Sequence, residues 1–153
     1  MPNVEIYIPL ASYLKKYQLG ECGGNVLYIN QKHEIGIIVL ALLKQQPDHT
    51  FKSRKCPEPN EMVLSIADRL CNDKGRGKFL HEEGKKMIAR KIRKMFLFDL
   101  RFYVRQNHLD FGTPEKYALR NFFEKYKISE DDFDEGSMYR DYTRWKKERK
   151  VEN

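Results

Sequence analysis

The sequence predicts a mainly α-helical chain of the α+β class, with a small N-terminal β element, a long central helix and a trio of helices at the C-terminus. Three observations carry this. Between 81 and 107 there is no proline, and Ile88, Ile92, Phe96, Leu100 and Tyr103 recur at intervals of four, four, four and three, which draws one apolar stripe along a helix. Val4 to Ile8 alternates apolar and polar residues, the period of a half-buried strand. After Gly112 the chain alternates bulky apolar positions at helical spacing with helix-start signals.

The elements follow in order. Strand 4–8 ends at Pro9. Ser12 is the expected cap of a short helix, Tyr13 to Gln18, which Gly20 stops. Gly23-Gly24 marks a turn and Asn25 to Ile29 a second strand. Residues 31–45 read as a helix with Ile35, Ile38, Val39 and Leu42 on one face. Pro47, Pro57 and Pro59 make 46–61 a linker. Met62 to Ile66 reads as a third strand, but Ser65 to Leu70 equally suits the start of a helix. Residues 71–78 are a basic, glycine-containing loop before the long helix.

Thr113-Pro114-Glu115 reads as an N-cap, a proline at the first helical position and an acid in the first turn. That helix runs to about Tyr126, burying Leu119, Phe122, Phe123 and Tyr126. Ser129 and Asp132, at capping-box spacing, open a short acidic helix. Ser137 is the expected cap of the last one, 138–150, with Met138, Tyr142 and Trp145 inward.

Charge divides the chain. Residues 74–105 hold eleven bases, Lys74, Arg76, Lys78, Lys85, Lys86, Arg90, Lys91, Arg93, Lys94, Arg101 and Arg105, against Glu82, Glu83 and Asp99. The segment is +8 in a chain whose net charge is +7, so everything else sums to −1. The expected organisation is an α/β region 1–73 and a basic helical region 74–153. Charge concentrated in this way points to a polyanionic partner.

Several classes are disfavoured. No apolar run approaches the ~18–20 residues that span a bilayer, so no membrane partner is expected. Cys22, Cys56 and Cys71 cannot all pair within one chain and read as free thiols in a reducing cytoplasm. The histidines stand alone, so neither a metal nor another cofactor is expected. Lys74-Gly75-Arg76-Gly77-Lys78 fails as a nucleotide loop, with Asn72 and Phe79 at the required Gly and Ser/Thr positions. What remains is a flexible basic loop, either a plain surface turn or a strap laid along phosphates. Asp73, Glu83 and Lys85 have a D-x9-E-x-K spacing resembling that of metal-dependent nucleases, but Glu83 and Lys85 fall at a helix start rather than on a strand. No other catalytic signature is visible, and the chain is read as a non-enzyme. Tyr103, Tyr117, Phe122 and Phe123 have the rings to stack on bases, yet their helical spacing marks core.

The segment from Pro114 through Ile128-Ser129 to Lys150 resembles helix-turn-helix proteins, in particular the small regulators of phages and mobile elements. Ile128-Ser129 sits where those motifs turn, although the usual turn glycine is absent. The resemblance implies a cytoplasmic, DNA-binding transcriptional or mobile-element regulator. Helix 138–150 would enter the major groove, with Arg140 and Arg144 one turn apart and suited to guanine, and Tyr139, Thr143 and Lys147 on the backbone. Lys74, Arg76, Lys78, Arg90, Arg93, Lys94, Arg101 and Arg105 would hold phosphates of double-stranded DNA. A palindromic target would require a homodimer, with the N-terminal strand offering an edge. The alternative is an adaptor whose basic helix docks on an acidic protein.

Overall fold

The computed structural model describes residues 3–20, 24–45 and 57–151. The chain is mainly helical, with a three-stranded sheet near its N-terminus. It forms two compact units, Met1–Lys94 and Met95–Asn153.

In the first unit the strands are β1 (Asn3–Pro9), β2 (Val26–Ile29) and β3 (Glu61–Ala67). Their order is β1-β3-β2, with β1 antiparallel and β2 parallel to the centre. Met62 to Ile66 is therefore the central strand, and a helix starts only at Asp68. Every residue from Glu61 to Ile66 is buried, which explains why Met62, Val63, Leu64 and Ile66 do not alternate with polar residues as an exposed strand would: a strand covered on both faces has no solvent side. Its one buried hydroxyl, Ser65 Oγ, accepts a hydrogen bond from Asn3 at 2.9 Å. On β1 only alternate positions, Ile6 and Ile8, are buried, as an edge strand with one covered face requires.

Helix α1 (Ser12–Leu19) starts one residue earlier than expected. Ser12 is inside it, because the Ala11 carbonyl takes the first bonds, from the Leu14 and Lys15 amides. Gly20 does end it, at φ 58°. Helix α2 (Glu34–Leu42) is shorter than the 31–45 expected. Asn30 Oδ1 holds the Lys32 and His33 amides in a turn before it. Beyond it, Lys44 pairs with Phe79. Gly36 is required: a Cβ there would lie 1.9 Å from the Asn30 carbonyl oxygen.

Helix α3 (Asp68–Asn72) and a 3-10 turn, 73–75, lead to α4 (Glu82–Phe111). Along α4 the buried stripe is Ile88, Ile92, Phe96, Leu100 and Val104. Val104 takes the place assigned to Tyr103, which is half-buried. A four-residue interval advances about 400°, so this stripe winds about 40° per step around the helix.

In the second unit α5 (Glu115–Lys125) and α6 (Glu135–Val151) pack with the end of α4. Phe122 meets Phe96 edge-on at 5.7 Å and Tyr103 at 5.5 Å. Thr113 is not the cap of α5. Pro114 is, in extended conformation, with its carbonyl taking the Tyr117 and Ala118 amides. Ser137 likewise is not the cap of α6. Asp134 is, its carboxylate accepting the Gly136 and Ser137 amides at 3.1 Å each. The Ser137 hydroxyl and these amides hold the Asp134 pKa below the usual carboxylate range.

The short acidic helix expected after Ser129 is absent. Asp132 does close back on the Ser129 amide at 2.9 Å and its hydroxyl at 3.0 Å. The structure there is a single turn, with the Asp132 and Phe133 amides bonded to the Ser129 carbonyl. Asp134 then starts the next cap at once, so no second turn forms.

Cys71 is a free, buried thiol, and burial raises its pKa. Cys22, Cys56 and most of the 46–61 linker lie outside the described residues. Among the described residues no helix is long and apolar enough to cross a membrane.

Candidate nucleic-acid interface

The basic segment is less available than its sequence suggests. In the first unit Arg76 pairs with Asp73, Lys78 with Asp68, Lys85 with Glu82, Arg90 with Glu83, and Lys91 with Glu34 at 2.5 Å. Such surface pairs add little stability, but they cancel local positive charge. Nor is 74–78 a loose loop. Arg76 donates to the Leu70 carbonyl, Gln45 to the Gly75 carbonyl at 2.9 Å, and the Gly77 amide to Cys71 at 2.9 Å. Gly77 has φ +91°, and a Cβ there would meet the Lys44 carbonyl oxygen at 2.2 Å. The loop is thus moulded onto the unit. Lys74, Lys86, Arg93 and Lys94 remain exposed and form no ion pair with a described residue.

In the second unit α6 presents two sets of cations. Arg140, Arg144 and Lys147 follow one another at i, i+4 and i+7, opposite buried Met138 and Tyr142, and all three are exposed. Arg140 leans back on its own helix start, 2.9 Å from Ser137 Oγ and 3.8 Å from Asp134. Tyr139 and Thr143 are half-buried, and the Thr143 hydroxyl is spent on the Tyr139 carbonyl at 2.9 Å.

The inner flank of α6 is different. Arg105, Lys146, Arg149 and Lys150 line a cleft of about 260 Å³ with Trp145 and Glu115. Burial disfavours the Glu115 carboxylate, but hydrogen bonds from Lys146 and Tyr142 outweigh it and hold its pKa below the usual range. Burial, and then the Glu115 charge, push the Tyr142 phenol far above its ordinary pKa. The Arg101 and Arg149 guanidiniums each lie 5.1 Å from the Trp145 ring centre. Arg101 also pairs with Asp141 at 3.7 Å. So Arg101 and Arg105 belong to this flank and not with the cations of the first unit.

The acids of the α5–α6 turn lie at the start of α6. Arg120 takes Glu135, while Glu130 and Asp131 stay exposed. This is the end that a groove-reading helix usually presents to bases, and here it is negative. Phe122 and Phe123 are core, as their spacing foretold. Tyr117, expected in the core from the same spacing, is instead exposed on the outer side of α5 from Ala118, Leu119 and Phe122, with Arg120 over its ring at 5.7 Å. Asp73 sits in the 3-10 turn paired with Arg76, and Lys85 pairs with Glu82 on α4. Among the described residues no cluster of His, Cys, Asp and Glu is arranged to hold a metal ion.

Sequence reading missed two features. One is the cleft, although Lys146, Arg149 and Lys150 at i, i+3 and i+4 beside Trp145 were there to be read. The other is an exposed apolar line on α4, Phe98 (69% exposed), Phe102 (60%) and Leu109, with the two rings parallel and 6.4 Å apart. No protein family matches the chain, and neither curated proteins nor solved structures include a similar one.

Proposed function

We propose that this protein binds nucleic acid, double-stranded DNA in the first instance, and does so mainly through backbone phosphates. One observation carries the reading. After local ion pairs are discounted, exposed cations remain at Lys86, Arg93 and Lys94 on α4 and at Arg144 and Lys147 on α6. Unpaired surface cations gain more from releasing phosphate counterions than paired ones do. A regulatory role at DNA rests on the helix-turn-helix resemblance, with the outer face of α6 laid against the duplex. The acidic start of that helix favours phosphate contact by Arg144 and Lys147 over base reading by Arg140. A two-fold target would pair two copies, for which the edge strand β1 offers hydrogen-bonding groups.

The test is anisotropy of a labelled duplex at low salt. Wild type is expected to bind. Arg144→Gln with Lys147→Gln is expected to weaken binding roughly tenfold, while Lys91→Gln, which removes a cation already paired with Glu34, changes it little. Equal binding by wild type and the double variant would overturn the α6 assignment.

A second reading is favoured by the exposed line Phe98, Phe102 and Leu109, which does nothing for phosphates and suits a protein contact. On that reading the chain is an adaptor for an acidic partner, and no duplex binds at low salt.

A further inference from the structure

The cleft beside Trp145 has a composition that the proposed backbone contacts do not use. We propose that it is a separate binding site for a phosphate monoester about the size of a mononucleotide.

The charge is the first argument. Arg105, Arg149 and Lys150 line the cleft with Lys146 and Glu115. Lys146 and Glu115 form an ion pair with each other, so their charges cancel. Three further cations then face one small space. Like charges so gathered repel in the absence of a counter-charge, and a dianion answers three cations better than a single carboxylate.

The geometry is the second. Arg149 lies 5.1 Å from the Trp145 ring centre. Stacking of this kind restrains a guanidinium plane while leaving its N–H edge to take phosphate oxygens in pairs. His108, also in the lining, accepts no bond at Nδ1: that atom is 2.9 Å from the Thr113 carbonyl, which only accepts, so Nδ1 carries the proton.

Size and wall give the third. A volume of about 260 Å³ far exceeds the ~30 Å³ of one liquid water, leaving room for an organic group beyond the phosphate. Leu109 and Trp145 supply apolar surface for that group. The site commits to the monoester, and the ester has two sources: a free nucleotide, or the terminal phosphate of a strand.

Trp145 is the only tryptophan in the chain, so its fluorescence reports the cleft directly. The full chain is titrated with adenosine 5′-monophosphate, with adenosine, with inorganic phosphate, and with short oligonucleotides with and without a 5′-phosphate. A saturable change is expected with the monophosphate, a weaker one with phosphate, and none with adenosine. Arg105→Gln with Arg149→Gln is expected to weaken monophosphate binding at least about tenfold. Both side chains are exposed, and an unchanged melting temperature checks the fold. Arg144→Gln with Lys147→Gln should leave this response intact while weakening duplex binding, so the two proposals fail separately. A phosphorylated strand binding tighter than both its unphosphorylated form and the free nucleotide identifies a strand end; no advantage for it identifies the nucleotide. The proposal is overturned by no saturable response at about 10 mM monophosphate, by an equal response to adenosine, or by a response unchanged in the Arg105/Arg149 variant.

Discussion

At the residue scale, Lys127 occupies a position that most chains give to glycine. Its φ is +56°. The Ile128 amide reaches back to the Phe123 carbonyl at 2.9 Å and the Lys127 amide to Glu124 at 3.0 Å, the paired bonds of a Schellman helix end. Ile128, at the position whose side chain packs back on the helix in such ends, is buried. A non-glycine residue in this conformation costs about 1–2 kcal/mol, and glycine returns about 0.5–1 kcal/mol of that through the freer unfolded chain. Lys127→Gly is therefore predicted to stabilise the fold by about 0.5 kcal/mol, a rise of about 1–2 °C in Tm. Thermal denaturation measures it, and a lower Tm would mean that the lysine makes a contact worth more than the strain. The turn was legible here without its glycine, because Ile128-Ser129 follows a bulky helix. The caps were less legible. Ser12, Thr113 and Ser137 each lie close to a helix start, yet backbone carbonyls of Ala11 and Pro114 and the Asp134 carboxylate do the capping. A small hydroxyl residue signals that a helix begins nearby and does not fix the residue on which it begins.

At the element scale, α4 carries two apolar faces and only one is covered. Phe96 is fully buried and meets Phe122, whereas Phe102 is 60% exposed. Phe96→Ala is predicted to cost about 3–5 kcal/mol, and Phe102→Ser to stay within about 0.5 kcal/mol of wild type. Urea unfolding of both variants decides it. A large loss in the second would show that the exposed line is structural. The four-residue interval was enough to find this helix and most of its core. It was not enough to end the stripe, because Tyr103 and Val104 are both apolar and only the winding of the stripe selects Val104. The acidic segment after Ser129 shows the opposite limit. Its capping-box spacing is real, but two start signals five residues apart, Ser129 and Asp134, leave room for one turn and no helix.

At the scale of the whole molecule, the run of basic residues at 74–105 overstated what is on offer. Its charge is plain in the sequence, but pairing is a property of the fold. Glu34 reaches Lys91 and Asp141 reaches Arg101 from elements far away in the chain, and no local pattern announces either. Of the cations expected to hold phosphates or bases, Lys74, Arg93, Lys94, Arg144 and Lys147 form no ion pair with a described residue, while Arg76, Lys78, Arg90, Arg101 and Arg140 are engaged. The cleft was not foreseen, because Arg105 and Glu115 meet α6 only in three dimensions. On the proposed reading the net charge of +7 would attract a polyanion from a distance, and the grip would fall to a smaller set of side chains.

That claim is tested most directly by the salt dependence of duplex binding. Each phosphate contact in B-DNA contributes about −0.9 to the slope of log K against log salt. If the five cations named on α4 and α6 each meet a phosphate, the wild-type slope is about −4.5. Arg144→Gln with Lys147→Gln should make it shallower by about 2, and Lys91→Gln should leave it unchanged. A flat slope, or no duplex binding at the lowest salt, would contradict the account and leave the exposed face of Phe98 and Phe102 as the surface to explain.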